Sequence, residues 1–213
     1  MPKLDILYKN LAFLQVDAGQ PLSAAKLLEM SDETGYPTDV LLRVDLSRRA
    51  ALGGIRMLVM DCDGVLTDGK MIFTREGDEI KHFHAQDGMG LKRWHQAGGL
   101  SGIISAGRSS GLVERRAEMM HVNQVYVGKQ PKWEVLAAWL AKLELQPHEV
   151  AYVGDDVSDL PVMERVGACF CPRDAVQEVR NQAQVVLSRA GGTGCVRELV
   201  EDYLLPAFPP AKG

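Results

Sequence analysis

The chain has 213 residues, of which 46% are hydrophobic, and a formal net charge of -4. This length suffices for one domain with an ordinary core plus an appendage. The net negative charge gives no electrostatic footprint for nucleic acid, and no apolar window approaches the about 18 residues that a membrane span requires. The amino terminus shows no secretory signal pattern, so the sequence predicts a cytoplasmic protein with neither nucleic-acid nor membrane partners.

Residues 1–52 are predicted to form a helical extension. Apolar side chains recur at helical spacing between Leu4 and Leu14. Ser23 is placed to cap a second helix, and Thr38 or Asp39 a third. We interpret this stretch as a docking or packing appendage to the domain that follows.

The first predicted strand, Ile55 to Met60, is almost continuously apolar and ends in the run DCDGVLTDG, Asp61 to Gly69. Open α/β sheets bind ligands at the carboxyl ends of their strands. A carboxylate there can attack phosphorus while the surrounding chain holds a hard cation. An acidic turn in which Gly64 supplies an unusual backbone angle is the alternative. The continuation of the run and its downstream partners favour the catalytic interpretation.

From Ile55 onward, strand and helix patterns alternate along the chain. The further predicted strands are residues 100–105, 124–128, 150–155, 168–171 and 184–188. The predicted helices are residues 89–97, 111–120, 133–145, 160–166 and 176–182. This alternation predicts an α/β fold with a doubly wound, Rossmann-like parallel sheet, helices on both faces and right-handed crossovers.

Residues 70–84 break this pattern and alternate as two short strands around the turn Arg75-Glu76-Gly77-Asp78. A protruding β-hairpin at this point would overhang the first carboxylates. The predicted organisation is therefore a helical extension (1–52), an α/β domain (53–205) and a flexible tail (206–213).

Four segments resemble the haloacid dehalogenase superfamily and, within it, the capless phosphatases that act on 3-deoxy-D-manno-octulosonate 8-phosphate. They are DGVLTDG (63–69), HFHAQDGMG (82–90), AYVGDDVSDLPVM (151–163) and AGGTGCVREL (190–199). The resemblance implies a magnesium-dependent phosphomonoesterase with an aspartyl-phosphate intermediate and a role in lipopolysaccharide biosynthesis. It also implies a homotetramer in which the hairpin packs against neighbouring subunits and helps to close their sites. The family pattern does not include residues 1–50.

The resemblance assigns the catalytic carboxylates. Asp61 would be the nucleophile, and Asp63 would protonate the leaving alcohol and then deprotonate water. Asp61, the backbone carbonyl of Asp63 and Asp155 are expected to hold Mg²⁺, because an anionic nucleophile would otherwise repel an anionic phosphate. Of Asp156 and Asp159, one is expected to support the metal or a phosphate-binding lysine from behind, and the other to cap a helix.

Lys132 matches the phosphate-binding lysine of the family. A lysine at a helix start is disfavoured by the helix dipole unless an anion binds there too. In this position a phosphate would supply that anion.

The second motif departs from the family pattern, which has Thr or Ser directly before Gly-Arg. Here Ala106 precedes Gly107-Arg108, with Ser105 one residue earlier. Either Ser105 supplies the hydroxyl, which we favour, or backbone amides bind the phosphate. Arg108 and Arg116 match family arginines that face the substrate, although Arg116 equally fits a solvated helix position.

The hairpin exit corresponds to the substrate-contacting segment of the family, with His84, Gln86, Asp87 and Gly88 as candidates. His84 and Gln86 replace the usual Asn and Arg, and loss of that Arg removes a charge for a sugar-acid carboxylate. For His84 we favour a polar or packing contact over a general base. The substrate thus stays open between the octulosonate 8-phosphate and a sialic-acid-type 9-phosphate or other sugar phosphate. A non-enzymatic oligomeric scaffold is the third hypothesis, disfavoured by the complete catalytic set.

Overall fold

The computed structural model describes residues 2–16, 23–50, 52–107 and 110–207. The chain divides into two compact units, Met1–Gly53 and Gly54–Gly213. Among the described residues, no helix has both the length and the apolar character needed to cross a membrane.

The first unit contains short helices around a small apolar core. They are α1 (Pro2–Leu14), α2 (Ala24–Thr34), α3 (Thr38–Arg43) and α4 (Leu46–Ala50). Buried Asn10 donates to the carbonyls of Leu41 and Val44 and accepts from the amide of Leu46, and so satisfies backbone groups at the α3–α4 junction. Ser23 caps α2 as predicted, by accepting from the amide of Lys26.

The predicted cap of the third helix is wrong. Helix α3 begins at Thr38, and its N-cap is Pro37, which makes no side-chain cap hydrogen bond. The fixed φ of proline already holds the extended entry into the helix.

The second unit is built on a six-stranded parallel sheet. In chain order its strands are β1 (Met57–Met60), β4 (Leu100–Ser105), β5 (Gln124–Val127), β6 (Val150–Val153), β7 (Ala168–Cys171) and β8 (Val185–Val186). Two further strands, β2 (Ile72–Phe73) and β3 (Glu79–Ile80), follow β1 in the chain and form a separate hairpin. The order across the sheet is β5-β4-β1-β6-β7-β8, so the winding reverses at β1. The predicted doubly wound parallel fold is therefore confirmed.

Helices connect these strands and cover the sheet. They are α5 (Ala85–Gln96), α6 (Ser110–Met119), α7 (Lys132–Leu143), α8 (Leu160–Met163), α9 (Gln177–Gln182) and α10 (Cys195–Glu198). A π-helical turn, Leu199–Leu204, leads into α11 (Leu205–Ala207), which includes two residues that the sequence prediction assigned to the tail. The other tail residues, 208–213, lie outside the described residues. Helix α5 begins four residues before its predicted start, because the His84 side chain caps it.

The hairpin after β1 is also confirmed. Its strands, β2 (Ile72–Phe73) and β3 (Glu79–Ile80), are antiparallel, with Ile72 opposite Ile80. Gly77 in the turn has a φ of 93°. Met71, Ile72, Phe73 and Ile80 are exposed, so the hairpin carries several apolar side chains at its surface.

Candidate active site

Three carboxylates meet at the carboxyl edge of the sheet, at the point where its winding reverses. Met60, the last residue of β1, is paired with Val153, the last residue of β6, so the loops after both strands begin side by side. Asp61 follows β1, whereas Asp155 and Asp159 follow β6. One carboxylate oxygen from each of the three residues lies within 4.8 Å of the oxygens from the other two. Two segments about ninety residues apart thus form one acidic cluster.

Lys132 is the cation that faces this cluster. It is the first residue of α7, and its Nζ lies 2.9 Å from Asp61 Oδ1 and 2.6 Å from Asp159 Oδ1. Burial lowers the pKa of Lys132, but the two neighbouring carboxylates outweigh this effect and raise the pKa above its usual value. Lys132 is therefore a fixed positive charge beside Asp61.

Asp159 has no free acceptor position in this cluster. Its Oδ1 accepts from Lys132 Nζ and from the hydroxyl of Tyr152, each at 2.6 Å. Its Oδ2 accepts from the amides of Asp155 and Asp156, at 2.9 and 3.2 Å. Four hydrogen bonds occupy the ordinary capacity of a carboxylate, so these contacts fit a group that holds Lys132 and the loop. Asp156 instead caps a short 3-10 helix, Val157–Asp159, because its side chain accepts a hydrogen bond from the amide of Val157.

Asp61 and Asp155 lie close enough for their negative charges to repel each other, and a divalent cation between them would relieve this repulsion. Burial, followed by the negative charge of Asp61, raises the pKa of Asp155 to about 8. Burial also raises the pKa of Asp61 to about 6, against the opposing attraction of Lys132. Asp155 Oδ1 is buried and has no hydrogen-bond partner among the described residues. Asp61 and Asp155 are thus two crowded carboxylates beside one ammonium group, one of them with an unsatisfied oxygen, and carboxylate oxygens are the ligands that Mg²⁺ prefers.

Asp63 contacts both the hairpin and the loop that follows β1. Its Oδ1 lies 2.5 Å from Lys81 Nζ and 3.4 Å from the Thr67 hydroxyl. Asp63 also lines a cavity of about 770 Å³ between the hairpin and the loop that follows β4. The lining residues are Asp63, Gly69, Met71, Phe73, Gly77, Asp78, Glu79, Ala106 and Gly107. A small organic group in this cavity would have Asp63 at its wall.

Comparison with known proteins assigns the family. None of the protein-family models matches the chain. Over 151 residues it is 39% identical to the 3-deoxy-D-manno-octulosonate 8-phosphate phosphatase KdsC of Escherichia coli strain K12, and this match covers 71% of the chain and 80% of the relative. The chain belongs to the 3-deoxy-D-manno-octulosonate 8-phosphate phosphatase family. The resemblance identified from four segments is thereby confirmed.

Solved structures of the octulosonate phosphatase family have the same fold. The Yersinia pestis enzyme matches with a TM-score of 0.72 and 35% identity, over 75% of this chain and 85% of that chain. The Moraxella catarrhalis enzyme, solved with a magnesium ion, a phosphate ion and KDO, matches with a TM-score of 0.73 and 33% identity, over 76% of this chain and 92% of that one.

The second motif of the family begins at Ser105, the last residue of β4. Ser105 Oγ accepts from the amide of Gly107 at 3.1 Å, and Ser105 is 1% exposed. This bond uses an acceptor position of the hydroxyl and leaves its proton for another partner. Both alternatives for the phosphate contact, the Ser105 hydroxyl and the backbone amides, therefore stay predictions. Arg108 lies outside the described residues.

The predicted substrate-contacting residues are held by one another and by the carboxyl-terminal segment. His84 Nδ1 accepts from the amide of Gln86, and the His84 carbonyl accepts from Arg116 Nη2. Gln86 Oε1 accepts from Arg189 Nη1 at 2.6 Å. A Cβ added to Gly88 would lie 3.1 Å from Arg116 Nη2, so the arginine packs directly on this turn of α5. The cap at His84 fits the polar contact that the sequence favoured over a general base.

Asp87 is buried in the same junction. Its Oδ1 accepts from the amide of Arg197, which joins α5 to α10. Burial raises the pKa of Asp87 to about 6. These contacts describe a group that ties helices together, and the substrate contact predicted for Asp87 stays a prediction.

Sequence reasoning missed three residues that contact the candidate site: Thr67, Lys81 and Tyr152. Tyr152 carried a readable signal, since a hydroxyl in an otherwise apolar strand needs a buried partner. Lys81 carried a weaker one, because it alternates with Glu79 and therefore turns to the same face of the hairpin. Thr67 belongs to the first motif, but its spacing alone did not indicate a contact with Asp63.

Proposed function

We propose that this chain is a magnesium-dependent phosphomonoesterase that hydrolyses 3-deoxy-D-manno-octulosonate 8-phosphate through an aspartyl-phosphate on Asp61. The observation that carries the proposal is the meeting of Asp61, Asp155 and Lys132 at the carboxyl edge of β1 and β6. Membership of the octulosonate phosphatase family supports the substrate, and the magnesium ion in the Moraxella catarrhalis relative supports the cofactor.

The residues divide the reaction between them. The Asp61 carboxylate attacks phosphorus, and the Asp63 carboxyl gives a proton to the departing sugar oxygen. Lys132, held by Asp159, neutralises charge on the phosphoryl oxygens. Asp61, Asp155 and the backbone carbonyl of Asp63 would hold Mg²⁺, which supplies further charge neutralisation between nucleophile and phosphate.

Other predicted contacts complete the substrate site in this proposal. Ser105 and Arg108 bind the phosphate beside Lys132. His84, Gln86, Asp87, Gly88 and Arg116 shape the surface that recognises the sugar acid, and Asp156 stabilises the loop that carries Asp155. The substrate contacts can be tested by single substitutions that raise KM more than they lower kcat.

Phosphate release from a panel of sugar phosphates tests the function. With Mg²⁺ we expect the octulosonate 8-phosphate to be turned over with the highest kcat/KM, and excess EDTA to abolish release from every substrate. A higher kcat/KM for a sialic acid 9-phosphate would overturn the substrate. Turnover that is unchanged in EDTA would overturn the cofactor, and no release from any ester would support the scaffold hypothesis.

The affinity for Mg²⁺ should depend on pH. The pKa is about 6 for Asp61 and about 8 for Asp155. Between pH 6 and pH 8, a cation that binds to both carboxylates therefore displaces one proton, from Asp155. The apparent affinity should therefore rise by roughly tenfold per pH unit over this range and level off above it. Titration calorimetry at pH 6, 7 and 8 measures the slope and the proton release. An affinity independent of pH would contradict the raised pKa values.

The metal-free protein should show the opposite trend in stability. Both carboxyls have folded-state pKa values above the ordinary 3.8. Their contribution is present below the unfolded pKa and is lost as the pH rises through the folded values. Thermal unfolding in EDTA should therefore occur at lower temperature at pH 8 than at pH 5, and Mg²⁺ should restore more stability at the higher pH.

We further infer that the protein is a cytoplasmic homotetramer in which the hairpins contact neighbouring subunits, with residues 1–52 as a packing or docking appendage. The exposed apolar side chains of Met71, Ile72, Phe73 and Ile80 support the hairpin contact, because burial in a subunit interface would stabilise them. Sedimentation equilibrium measures the oligomeric state, and a monomer at micromolar concentration would contradict this inference.

A further inference from the structure

Lys81 is a cation with a largely buried side chain at the base of a mostly exposed hairpin. Its side chain is 4% exposed, whereas Met71 and Phe73 in the same segment are 72% and 58% exposed. Lys81 directly follows β3, where the hairpin returns towards the sheet. Withdrawing an ammonium group from water is costly unless anionic partners compensate, so its contacts indicate what this lysine does.

Two carboxylates surround the Lys81 ammonium group. Its Nζ lies 2.5 Å from Asp63 Oδ1 and 2.8 Å from Glu79 Oε1. Burial lowers the pKa of Lys81, but hydrogen bonds to Asp63 and Glu79 outweigh it and raise the pKa above its usual value. Glu79 holds the lysine from within the hairpin, and the lysine in turn reaches across to Asp63.

The contact determines which oxygen of Asp63 faces the cavity. Oδ1 is engaged by Lys81 and by the Thr67 hydroxyl. A Cβ added to Gly107 would lie 3.2 Å from Oδ2, so Oδ2 is directed towards the loop after β4. Asp63 and Gly107 both line the cavity beneath the hairpin. The carboxylate is thus clamped on one oxygen and presents the other.

We propose that Lys81 is a positioning residue that clamps Asp63 Oδ1 from the hairpin, so that Oδ2 delivers its proton to the leaving oxygen of the phosphate ester. The proposal rests on the proposed function and adds to it a residue of the hairpin. The hairpin then has a part in proton transfer in addition to covering the cavity.

Asp63 returns to its initial protonation state after the two steps of the reaction. In the first, Asp61 bonds to phosphorus, the bond from phosphorus to the sugar oxygen breaks, and this oxygen keeps the electron pair and takes the proton from Asp63 Oδ2. In the second, a water oxygen bonds to phosphorus and gives a proton to Asp63 Oδ2, while the bond from phosphorus to Asp61 breaks. Lys81 keeps its own protons throughout.

Two esters with different leaving groups separate positioning from structural damage. A sugar alkoxide needs a proton to depart, whereas p-nitrophenolate leaves without one. The ratio kcat/KM reports on the steps up to departure of the leaving group, so the later hydrolysis does not mask the effect. With Mg²⁺ present, we expect Lys81→Met to lower kcat/KM for the octulosonate 8-phosphate about 10²-fold, the scale of general acid catalysis. For p-nitrophenyl phosphate the loss should stay below about threefold, because no proton transfer is removed.

Two further variants control the result. Lys81→Arg keeps a cation at this position and should recover most of the activity on the sugar ester. Lys70→Met removes an exposed lysine of the same segment, paired with Asp68 at 2.8 Å, and should change kcat/KM for neither ester.

Two results in Lys81→Met would overturn the proposal: equal losses of kcat/KM on both esters, or an unchanged kcat/KM for the sugar ester. If Lys81→Met does not fold, Lys81→Gln takes its place, and an unchanged ratio of kcat/KM between the two esters in Lys81→Gln would overturn the proposal equally. A wild-type protein that releases phosphate from neither ester would overturn the proposed function itself, which distinguishes the two failures.

Discussion

The Asp61→Asn variant should lose phosphate release from every ester by about four orders of magnitude or more, because the amide cannot form the aspartyl-phosphate. The fold should survive the change. Lys132 keeps its 2.6 Å contact with Asp159, so no buried charge is left without a partner. Asp155 loses a neighbouring negative charge that raises its pKa. Steady-state phosphate release and thermal unfolding, measured on the same preparation, test both halves of this prediction.

Asp68→Asn is the matched control for this substitution. Asp68 lies in the same motif, but its carboxylate is exposed and paired with Lys70. An exposed pair of this kind contributes little to stability, so activity and stability should stay close to the wild type. Turnover in Asp61→Asn within tenfold of the wild type would remove Asp61 as the nucleophile, as would an equal loss in Asp68→Asn.

Gly64→Ala should abolish magnesium-dependent turnover through backbone strain and a direct clash. Gly64 has a φ of 95°, and a Cβ there would lie 2.0 Å from Asp155 Oδ2. Asp155 would have to leave its position, or the loop after β1 would have to move, so the carboxylates would no longer converge. We expect kcat/KM to fall at least about 10²-fold, the size of effect that a displacement of 1 Å produces in a catalytic site. Calorimetry should show a matching loss of Mg²⁺ affinity.

Gly77→Ala separates the strain from the clash. Gly77 has nearly the same φ, 93°, but no atom lies within 4 Å of the position of its Cβ. This variant carries the backbone cost of about 1–2 kcal/mol without displacing Asp155. The Gly77→Ala protein should therefore lose stability by this backbone cost alone and keep the Mg²⁺ affinity of the wild type. Normal metal affinity in Gly64→Ala would contradict the role of this glycine in seating Asp155.

Much of the candidate site follows from local patterns. The apolar strand before Asp61 and the apolar strand before Asp155 are neighbours in a parallel sheet, so their carboxyl ends lie at one edge. Lys132 stands at the start of a helix whose apolar side packs on the sheet, and this places its side chain near the same edge. These features depend on periodicity and chain order, which a sequence displays directly.

The hairpin exit shows where local patterns stop being sufficient. The sequence predicts His84, Gln86 and Asp87 as substrate contacts, and the structure in addition gives each of them a partner within the protein, so their contact with a substrate stays a prediction. The bond from Arg197 to Asp87 joins residues 110 positions apart. A polar side chain next to a site can bind a ligand or a neighbouring helix, and only the packing of α5 against the carboxyl-terminal segment shows which partner is within reach.

By itself the sequence determined the order of strands and helices, the hairpin and the presence of acidic residues directly after two strands, because these depend on residue types at short, regular spacings. The tertiary structure decided which charged and polar groups contact one another. It paired Asp159 with Lys132 and Tyr152, left Asp155 Oδ1 without a partner among the described residues, and placed Lys81 in contact with Asp63, 18 residues away. Electrostatic energies at such distances change within fractions of an ångström, and these distances exist only once the sheet, the helices and the hairpin have packed together.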